Sequence, residues 1–434
     1  MPTLDTANPL AGRKLWIHPM TYAGAKMLAY GFASIGVDAE VTPPGDSATL
    51  ELGGKYTSGE ECLPEKVTLG DYLKVTTKEG FDPKKTAFIL PTANGPCRFG
   101  QYRQLMQKVF RELGYQDALV FSPTSEDGYN GFGEHGGTFR RTAWRALVIG
   151  DLLTKALLKT RPYELRRGDT DEVFEWSIVR MGQMVAQPYD GAGKQMERLV
   201  RGLEICHEEY ETIPADYSEP KLLIGIVGEI FCRLNDFSND SLIRKLEEFG
   251  CEAWISDVAE WVWHVNNEEV LNLKDEGKRF YHPDRITAWI KHTFQKQDEH
   301  HLYEAFGDYF VGYEEAEDIN EILGYSHPYL PPEGCLGEMV LSTGKSVYLH
   351  RKGADGVVDI SPFTCMNGII TEAIYPRVIA DCDGMPIRMF YFDGISSDLD
   401  RDVGIFVELA KTYSNRKKHP RPLPRQFQQD LAVA

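Results

Sequence analysis

Three cysteines lie where a predicted strand or turn gives way to a helix, and this shared position is the strongest chemical pattern in the chain. They are Cys62, Cys97 and Cys365. Thiolates are metal ligands, and the N-terminus of a helix offers N–H groups and a favourable dipole to an anionic centre. The three are therefore candidate ligands of one metal centre, although each cysteine taken alone is more often a small buried apolar residue.

Alternating strand and helix patterns predict the elements that would position these cysteines. A short apolar run at Thr86–Leu90 predicts a strand that leads into Cys97, and Gly356–Ile360 predicts one that leads into Cys365. Such repeated winding is typical of a parallel sheet covered by helices. We therefore expect an α/β fold with two doubly wound lobes and helical additions.

Composition shifts along the chain predict three regions. We expect a first α/β lobe over residues 1–138, a helical segment and linker over 139–220, and a second α/β lobe over 221–434 with a helical insertion at 262–330. Ligands of such sheets bind beyond the carboxyl ends of the strands. Cys97 and Cys365 would occupy that end in different lobes, with Cys62 in a loop of the first lobe, so one site between the lobes is predicted.

The spacing of the cysteines favours iron and sulfur over zinc. A structural zinc site usually shows C-x-x-C pairs, and neither such a pair nor a ferredoxin run occurs here. Three isolated thiolates suit a four-iron four-sulfur cluster (4Fe–4S) that leaves one iron without a protein thiolate. Arg98 adds a positive charge, which is expected to lower the pKa of a neighbouring thiol and raise the reduction potential of a cluster.

The remaining cysteines divide into two kinds. Cys206 and Cys232 fall inside helical patterns and are predicted to be core residues, while Cys251 and Cys382 lie at the edges of elements. Cys335 precedes a helix and is either a fourth ligand or a thiol without a function.

Three further features are weaker candidates. Glu229 ends the first strand of the second lobe and is either a proton donor at the cleft or a cap of the next turn. His18 ends the first strand of the chain. The glycine-rich loop Asp127–Gly137 either borders the site or is a surface loop.

Bulk composition excludes several classes of protein. The formal net charge of −18 over 434 residues argues against nucleic-acid binding, which needs a basic surface. No apolar run reaches the roughly 18 residues that a membrane span needs, and the first residues lack a signal-peptide pattern. We expect a cytoplasmic protein whose eight cysteines are reduced.

Several segments resemble the 2-hydroxyacyl-CoA dehydratase and benzoyl-CoA reductase superfamily of iron–sulfur proteins. The likeness is greatest to the dehydratase-like C-terminal part of its large activase-fused members, and double-cubane cluster proteins are related. The segments that carry the resemblance are Glu61–Pro64 with Leu69–Asp71, Pro91–Tyr102, Ile226–Ile230 with Phe237–Asn239, and Asp355–Met366.

The resemblance implies two flavodoxin-like lobes and a 4Fe–4S cluster held by Cys62, Cys97 and Cys365. It also implies a separate activator, an iron–sulfur ATPase that injects low-potential electrons at the expense of ATP. A related branch binds a double cubane (8Fe–9S) through six cysteines, which fits less well because only three or four cysteines here have a ligand-like context. Members pair two similar subunits, so a homodimer or a heterodimer is expected.

Two departures from the superfamily pattern stand out. Asn367 replaces an expected proline, which predicts a less rigid turn at Cys365. Gly225–Gly228 is only a GxxG sequence without the Lys-Ser or Lys-Thr of a phosphate-binding loop, so an ATP-using part would be another polypeptide.

Three functions stay open at this point. The chain is predicted to be the electron-accepting iron–sulfur component of an ATP-driven reductase or dehydratase. The alternatives are the catalytic subunit of a (R)-2-hydroxyacyl-CoA dehydratase that binds an acyl-CoA, and a noncatalytic scaffold that pairs with a cluster-bearing partner.

Overall fold

The fold contains two four-stranded parallel sheets, each flanked by helices. The structure is a computed structural model that describes residues 9–92, 96–123, 136–335, 337–395 and 398–427. The predicted α/β class with two doubly wound, flavodoxin-like lobes is confirmed.

The first lobe is built on short apolar strands that are buried under helices. All four residues of its central strand β3 are buried, as expected for a parallel sheet that is covered on both faces. The strand order is β2-β1-β3-β4. The elements are β1 (Lys14–Ile17), α1 (Tyr22–Ala33), β2 (Ala39–Val41), α2 (Ser47–Lys55), α3 (Leu63–Thr76), β3 (Thr86–Ile89), α4 (Phe99–Glu112) and β4 (Leu119–Phe121).

A helical segment connects the two sheets. Its first helix is 25 residues long and ends in a 3-10 turn that contains Pro162. The elements are α5 (Gly136–Thr160), the 3-10 turn Arg161–Tyr163, α6 (Asp169–Val185) and α7 (Ala192–Glu211).

The second lobe repeats the topology of the first, with the strand order β6-β5-β7-β8. The central strands β5 and β7 are buried almost throughout. The elements are β5 (Leu222–Gly228), α8 (Ile230–Leu234), α9 (Leu242–Glu248), β6 (Cys251–Ile255), α10 (Val258–Asp275), α11 (Pro283–Glu304), α12 (Ile319–Ser326), α13 (Met339–Arg351), β7 (Gly356–Pro362), α14 (Met366–Asp381), β8 (Ile387–Phe392) and α15 (Leu399–Ser414).

Helix α2 is the main element that the sequence patterns did not predict. Its sequence is polar and glycine-rich, so it lacks the apolar periodicity that reveals a helix. A capping box starts it, because the Asp46 carboxylate accepts the Thr49 N–H at 3.1 Å and the Thr49 hydroxyl accepts the Asp46 N–H. Capping and packing on α3 therefore stabilise this helix, although its sequence lacks apolar periodicity.

Helix α3 joins the cores of the two lobes. Leu63 and Val67 belong to the apolar cluster around the second sheet, whereas Tyr72 and Leu73 belong to the cluster around the first. A hydrogen bond from the Asn235 side chain to the Pro19 carbonyl, 2.9 Å long, also links the lobes. The carboxyl ends of the two sheets consequently face each other.

Across the part of the chain that the structure describes, no helix has both the length and the apolar character required to cross a bilayer.

The close contact between α2 and α3 predicts that adding one methyl group at Gly70 lowers the stability of the protein. A Cβ on Gly70 would collide with the backbone carbonyl of Thr49, which has no free rotamer to move away. We expect Gly70→Ala to lower the free energy of unfolding by about 1–3 kcal/mol, measured by denaturant unfolding.

The matched control is Gly54→Ala in α2, where an added Cβ meets nothing within 4 Å. This substitution is expected to leave stability unchanged or raise it by up to about 1 kcal/mol, because alanine is the better helix former. Equal effects of the two substitutions would contradict the close backbone packing of α2 on α3.

Candidate functional site

Cys62 is the N-cap residue of α3 and is half-buried. Its sulfur lies 2.9 Å from the Tyr102 hydroxyl, and its carbonyl accepts the backbone N–H of Glu65 at 3.1 Å. Pro64 follows in the first helical turn, where the missing N–H costs nothing and the fixed φ favours a helix. The start of α3 therefore fixes the position of this thiol.

Cys97 follows β3 and lies at the start of α4, where it is exposed. The backbone N–H of Phe99 points at its sulfur over 3.5 Å. The predicted position at the carboxyl end of a central strand of the first sheet is confirmed.

Cys365 is the N-cap residue of α14 and follows β7, the corresponding strand of the second sheet. The backbone N–H groups of Asn367 and Gly368 act to lower the pKa of its thiol. Thr364, directly before it, has a φ of +68°, which is unusual for a β-branched residue. Such strain is typical of turns that are held for a functional reason.

Asn367 does not loosen this turn as its departure from proline predicted. Its side-chain amide donates to the Glu338 carboxylate over 3.3 Å, and the residue is buried. A proline at this position could not form the same bond, so the asparagine ties the start of α14 to α13.

The three thiols share one electrostatic neighbour, Glu229, which follows β5. Burial is the largest cause of the raised pKa of Cys62, Cys97 and Cys365, and among the charged groups the Glu229 carboxylate makes the largest contribution to each. Glu229 caps α8 at the same time, since its two oxygens accept the N–H groups of Phe231 at 3.1 Å and Cys232 at 2.9 Å. Thiols from both lobes thus have the same carboxylate as a neighbour.

The sulfurs of Cys62, Cys97 and Cys365 do not all lie within 4.8 Å of one another. Among the described residues, the one group of three or more ligands whose donor atoms all lie within 4.8 Å of one another does not contain these cysteines. A tetrahedral zinc with bonds of about 2.3 Å holds its sulfurs only about 3.8 Å apart.

The protein environment keeps the three thiols protonated. Burial raises the pKa of Cys62 to about 11 and of Cys365 to about 12, and the pKa of Cys97 is raised in the same direction. The negative charge of Glu229 acts in the same sense. A bound cation or cluster would have to displace the thiol protons.

Arg98 has a smaller effect than its charge predicted. Its guanidinium lowers the pKa of Cys97, but the net pKa of Cys97 is raised because desolvation of the sulfur by the surrounding protein outweighs that attraction. The Arg98 side chain also donates to the carbonyl of Glu60, which links the loop of Cys97 to the loop of Cys62.

Further buried acids line the same region. Burial raises the pKa of Glu338 to about 8, of Glu65 to about 7 and of Asp359 to about 6, and the pKa of Glu229 is raised too. Glu338 accepts the Ile230 N–H at 2.8 Å. The site is therefore rich in carboxyl groups whose proton affinity is higher than in water.

The positions of Cys232 and Cys335 decide whether either could be a further ligand at this site. Cys232 is fully buried, as predicted, yet it interacts electrostatically with Cys62, Cys365 and Glu229. Burial raises its pKa well above the usual value, so it is a neutral neighbour of the site. Cys335 interacts with Glu268 of α10 instead.

Two weaker candidates from the sequence are His18 and the glycine-rich loop Asp127–Gly137. His18 follows β1 and lies 3.0 Å from the Asp71 carboxylate, with its ring 5.0 Å from that of Phe231 in the second lobe. Of the glycine-rich loop Asp127–Gly137, residues 127–135 lie outside the described residues.

Tyr102, Glu338 and Glu65 are the site residues that the sequence did not reveal. Glu65 lies three residues after Cys62 on the same side of the first turn of α3, a spacing that sequence reasoning can use. Tyr102 and Glu338 reach the site only through the packing of α4 and α13, so no local sequence pattern predicts them as site residues.

No protein-family model and no curated protein matches this chain.

The position of Glu229 predicts how the thiols react in the metal-free protein. Glu229→Gln removes the nearest negative charge, so the pKa of the three thiols should fall and their thiolate fraction should rise. We expect alkylation by iodoacetamide at mildly alkaline pH to become up to about tenfold faster, which corresponds to about one pKa unit. Peptide mapping by mass spectrometry measures each cysteine separately.

The control substitution is Glu60→Gln, which removes an exposed carboxylate beside Cys62 and should leave the rates unchanged. Cys206, buried in α7, is an internal reference within each sample. Unchanged alkylation of all three cysteines in Glu229→Gln would show that they do not surround this carboxylate.

Proposed function

We propose that this protein is the iron–sulfur component of an ATP-dependent low-potential reductase or dehydratase system. The observation that carries the proposal is the convergence of Cys62, Cys97 and Cys365 from two lobes around Glu229. Thiols that meet at the facing ends of two parallel sheets suit a shared cofactor better than three unrelated core positions.

The donor set fits a 4Fe–4S cluster. All three cysteines lie at the start of a helix, and backbone N–H groups of that helix act to lower the pKa of each thiol. Such N–H bonds stabilise thiolates bound to iron and tune the reduction potential. The cluster would supply one-electron transfer, and one of its irons would lack a protein thiolate.

The acidic lining supports a low reduction potential. Adding an electron next to Glu229, Glu338 and Glu65 is electrostatically costly whenever these groups are ionised. Arg98 opposes this effect from an exposed position. A cluster with such surroundings would need a strong electron donor.

A separate activator ATPase with its own iron–sulfur cluster is proposed as that donor. Gly225–Gly228 lies within strand β5, where the side chain of Leu349 packs against Gly225, so this segment has no room to cradle a phosphate. The activator would have to reach the site from outside this chain, and a homodimer or a heterodimer with a related subunit is proposed for the assembly.

A cytoplasmic location is proposed as well. All eight cysteines are free thiols, which suits a reducing compartment. A single cubane is favoured over an 8Fe–9S double cubane, because Cys206, Cys251, Cys335 and Cys382 each have electrostatic partners other than Glu229.

The two other functions remain proposals of lower rank. A catalytic dehydratase subunit would bind an acyl-CoA between the lobes, and a scaffold subunit would bind no cluster. No contact among the described residues favours either one over the electron-transfer component.

Iron and sulfide analysis of anaerobically purified protein tests the proposal. We expect about four irons and four sulfides per chain with a brown chromophore, since a three-thiolate site suits one cubane. Cys97→Ala should lose most of the iron. Cys206→Ala, which removes a buried thiol from the distant helix α7, should keep it.

A colourless, iron-free wild-type protein would exclude the proposed function and leave the scaffold. Full iron content after replacement of Cys62, Cys97 and Cys365 together would show instead that other residues hold the iron.

A further inference from the structure

A second group of potential metal ligands lies at the other end of the second lobe. It consists of His350 in the last turn of α13, Asp383 between α14 and β8, and His419 in the segment that follows α15. These positions lie near the amino ends of β7 and β8, whereas Cys365 follows the carboxyl end of β7. The group is therefore separate from the cysteine site and does not depend on the function proposed for it.

The three side chains already bring their donor atoms together. One ligand atom from each residue lies within 4.8 Å of the others. The Nε2 atom of His350 is 3.8 Å from Oδ2 of Asp383, and the two imidazole rings meet edge to face with centroids 4.9 Å apart. An ion with bonds of about 2.0–2.2 Å holds tetrahedral ligands about 3.4 Å apart, so only a small contraction is needed.

Neighbouring groups orient two of the ligands. The Tyr413 hydroxyl lies 3.0 Å from Nδ1 of His350, an outer contact that leaves Nε2 directed toward Asp383. Lys418 binds Oδ1 of Asp383, which leaves Oδ2 on the side of His350. His350 is buried and His419 is exposed, so an ion here would keep one side open to water.

We propose that His350, Asp383 and His419 form a site for a divalent transition metal of the zinc class. Two imidazoles and one carboxylate are a ligand set that zinc accepts, and imidazole nitrogen favours zinc, copper and nickel over magnesium or calcium. The nearby cations Lys418 and Arg351 repel a bound metal ion. The affinity therefore depends on the difference between this repulsion and the attraction of the three ligands, and a substitution of either cation would change it.

The metal would fasten the C-terminal segment to the second lobe. After His419, this segment places Arg421 against the buried carboxylate of Glu252 at 2.7 Å and buries Phe427 beside Tyr163. Just before His419, Lys417 pairs with Asp355 at 2.7 Å. A metal at His419 would add a bond between these two anchors and hold the exposed residues between them.

Equilibrium dialysis of the anaerobically purified full chain against zinc, with metal counted by mass spectrometry, tests the site. We expect one bound zinc per chain beyond any in the cysteine site, and at least about a tenfold loss of affinity in His419→Ala. His419 is exposed, so this variant should fold. The double variant His300→Ala/His301→Ala removes two exposed histidines elsewhere and should bind zinc like the wild type.

Zinc affinity of a Lys418 variant and the rate of trypsin cleavage test the site further. Lys418→Gln should tighten zinc binding, because it removes the ammonium group that occupies Asp383. Zinc should slow trypsin cleavage after Lys417 and Lys418 in the wild type but not in His419→Ala.

Equal zinc affinity in the wild type and His419→Ala would overturn the site. Loss of zinc binding in His419→Ala without any effect of zinc on cleavage of the wild type would overturn the fastening role. Extra zinc that disappears only in Cys97→Ala would assign it to the cysteine site and also overturn the proposal.

Discussion

The burial of helix α3 in both lobes is the constraint on which the rest of the structure depends. Its first turns pack Leu63 and Val67 into the core of the second lobe, and its later turns pack Tyr72 and Leu73 into the core of the first. Full burial of such a side chain contributes about 1.5–3 kcal/mol, so the helix cannot tilt without loss on one side or the other. Cys62 caps this helix and is therefore fixed where the lobes meet.

The electrostatics of the site follow from that position. The meeting of the lobes brings Glu229, Glu338 and Asp359 together with three thiols, and desolvation raises the pKa of all of these groups. Without a bound cation, the thiols of this site are held protonated. Cationic iron that replaces the thiol protons would relieve the desolvation of the sulfurs, while the remaining carboxyl groups would hold the potential low.

Much of the fold was predictable because its sequence patterns are local. The strands predicted at Thr86–Leu90 and Gly356–Ile360 lie where the structure has β3 and β7, since both depend on nearby residues. The positions of Cys62, Cys97 and Cys365 at helix starts were also predictable. Helix α2 was missed because capping and packing, rather than apolar periodicity, stabilise it.

The parts of the site that sequence reasoning missed arise from long-range packing. Glu338 reaches Glu229 only because α13 packs against β5, and Cys232 nears Cys62 because the lobes face each other. The net effect on the pKa of Cys97 also needed the structure, since the charge of Arg98 was visible in the sequence and the burial was not.

The most direct test of the central claim is the Mössbauer spectrum of protein reconstituted with iron-57. A 4Fe–4S cluster held by three thiolates has one iron with a different ligand, so the account predicts two components in a ratio of about three to one. Four irons with equivalent thiolate ligands, or the spectrum of a mononuclear iron, would contradict a three-cysteine cluster between the lobes.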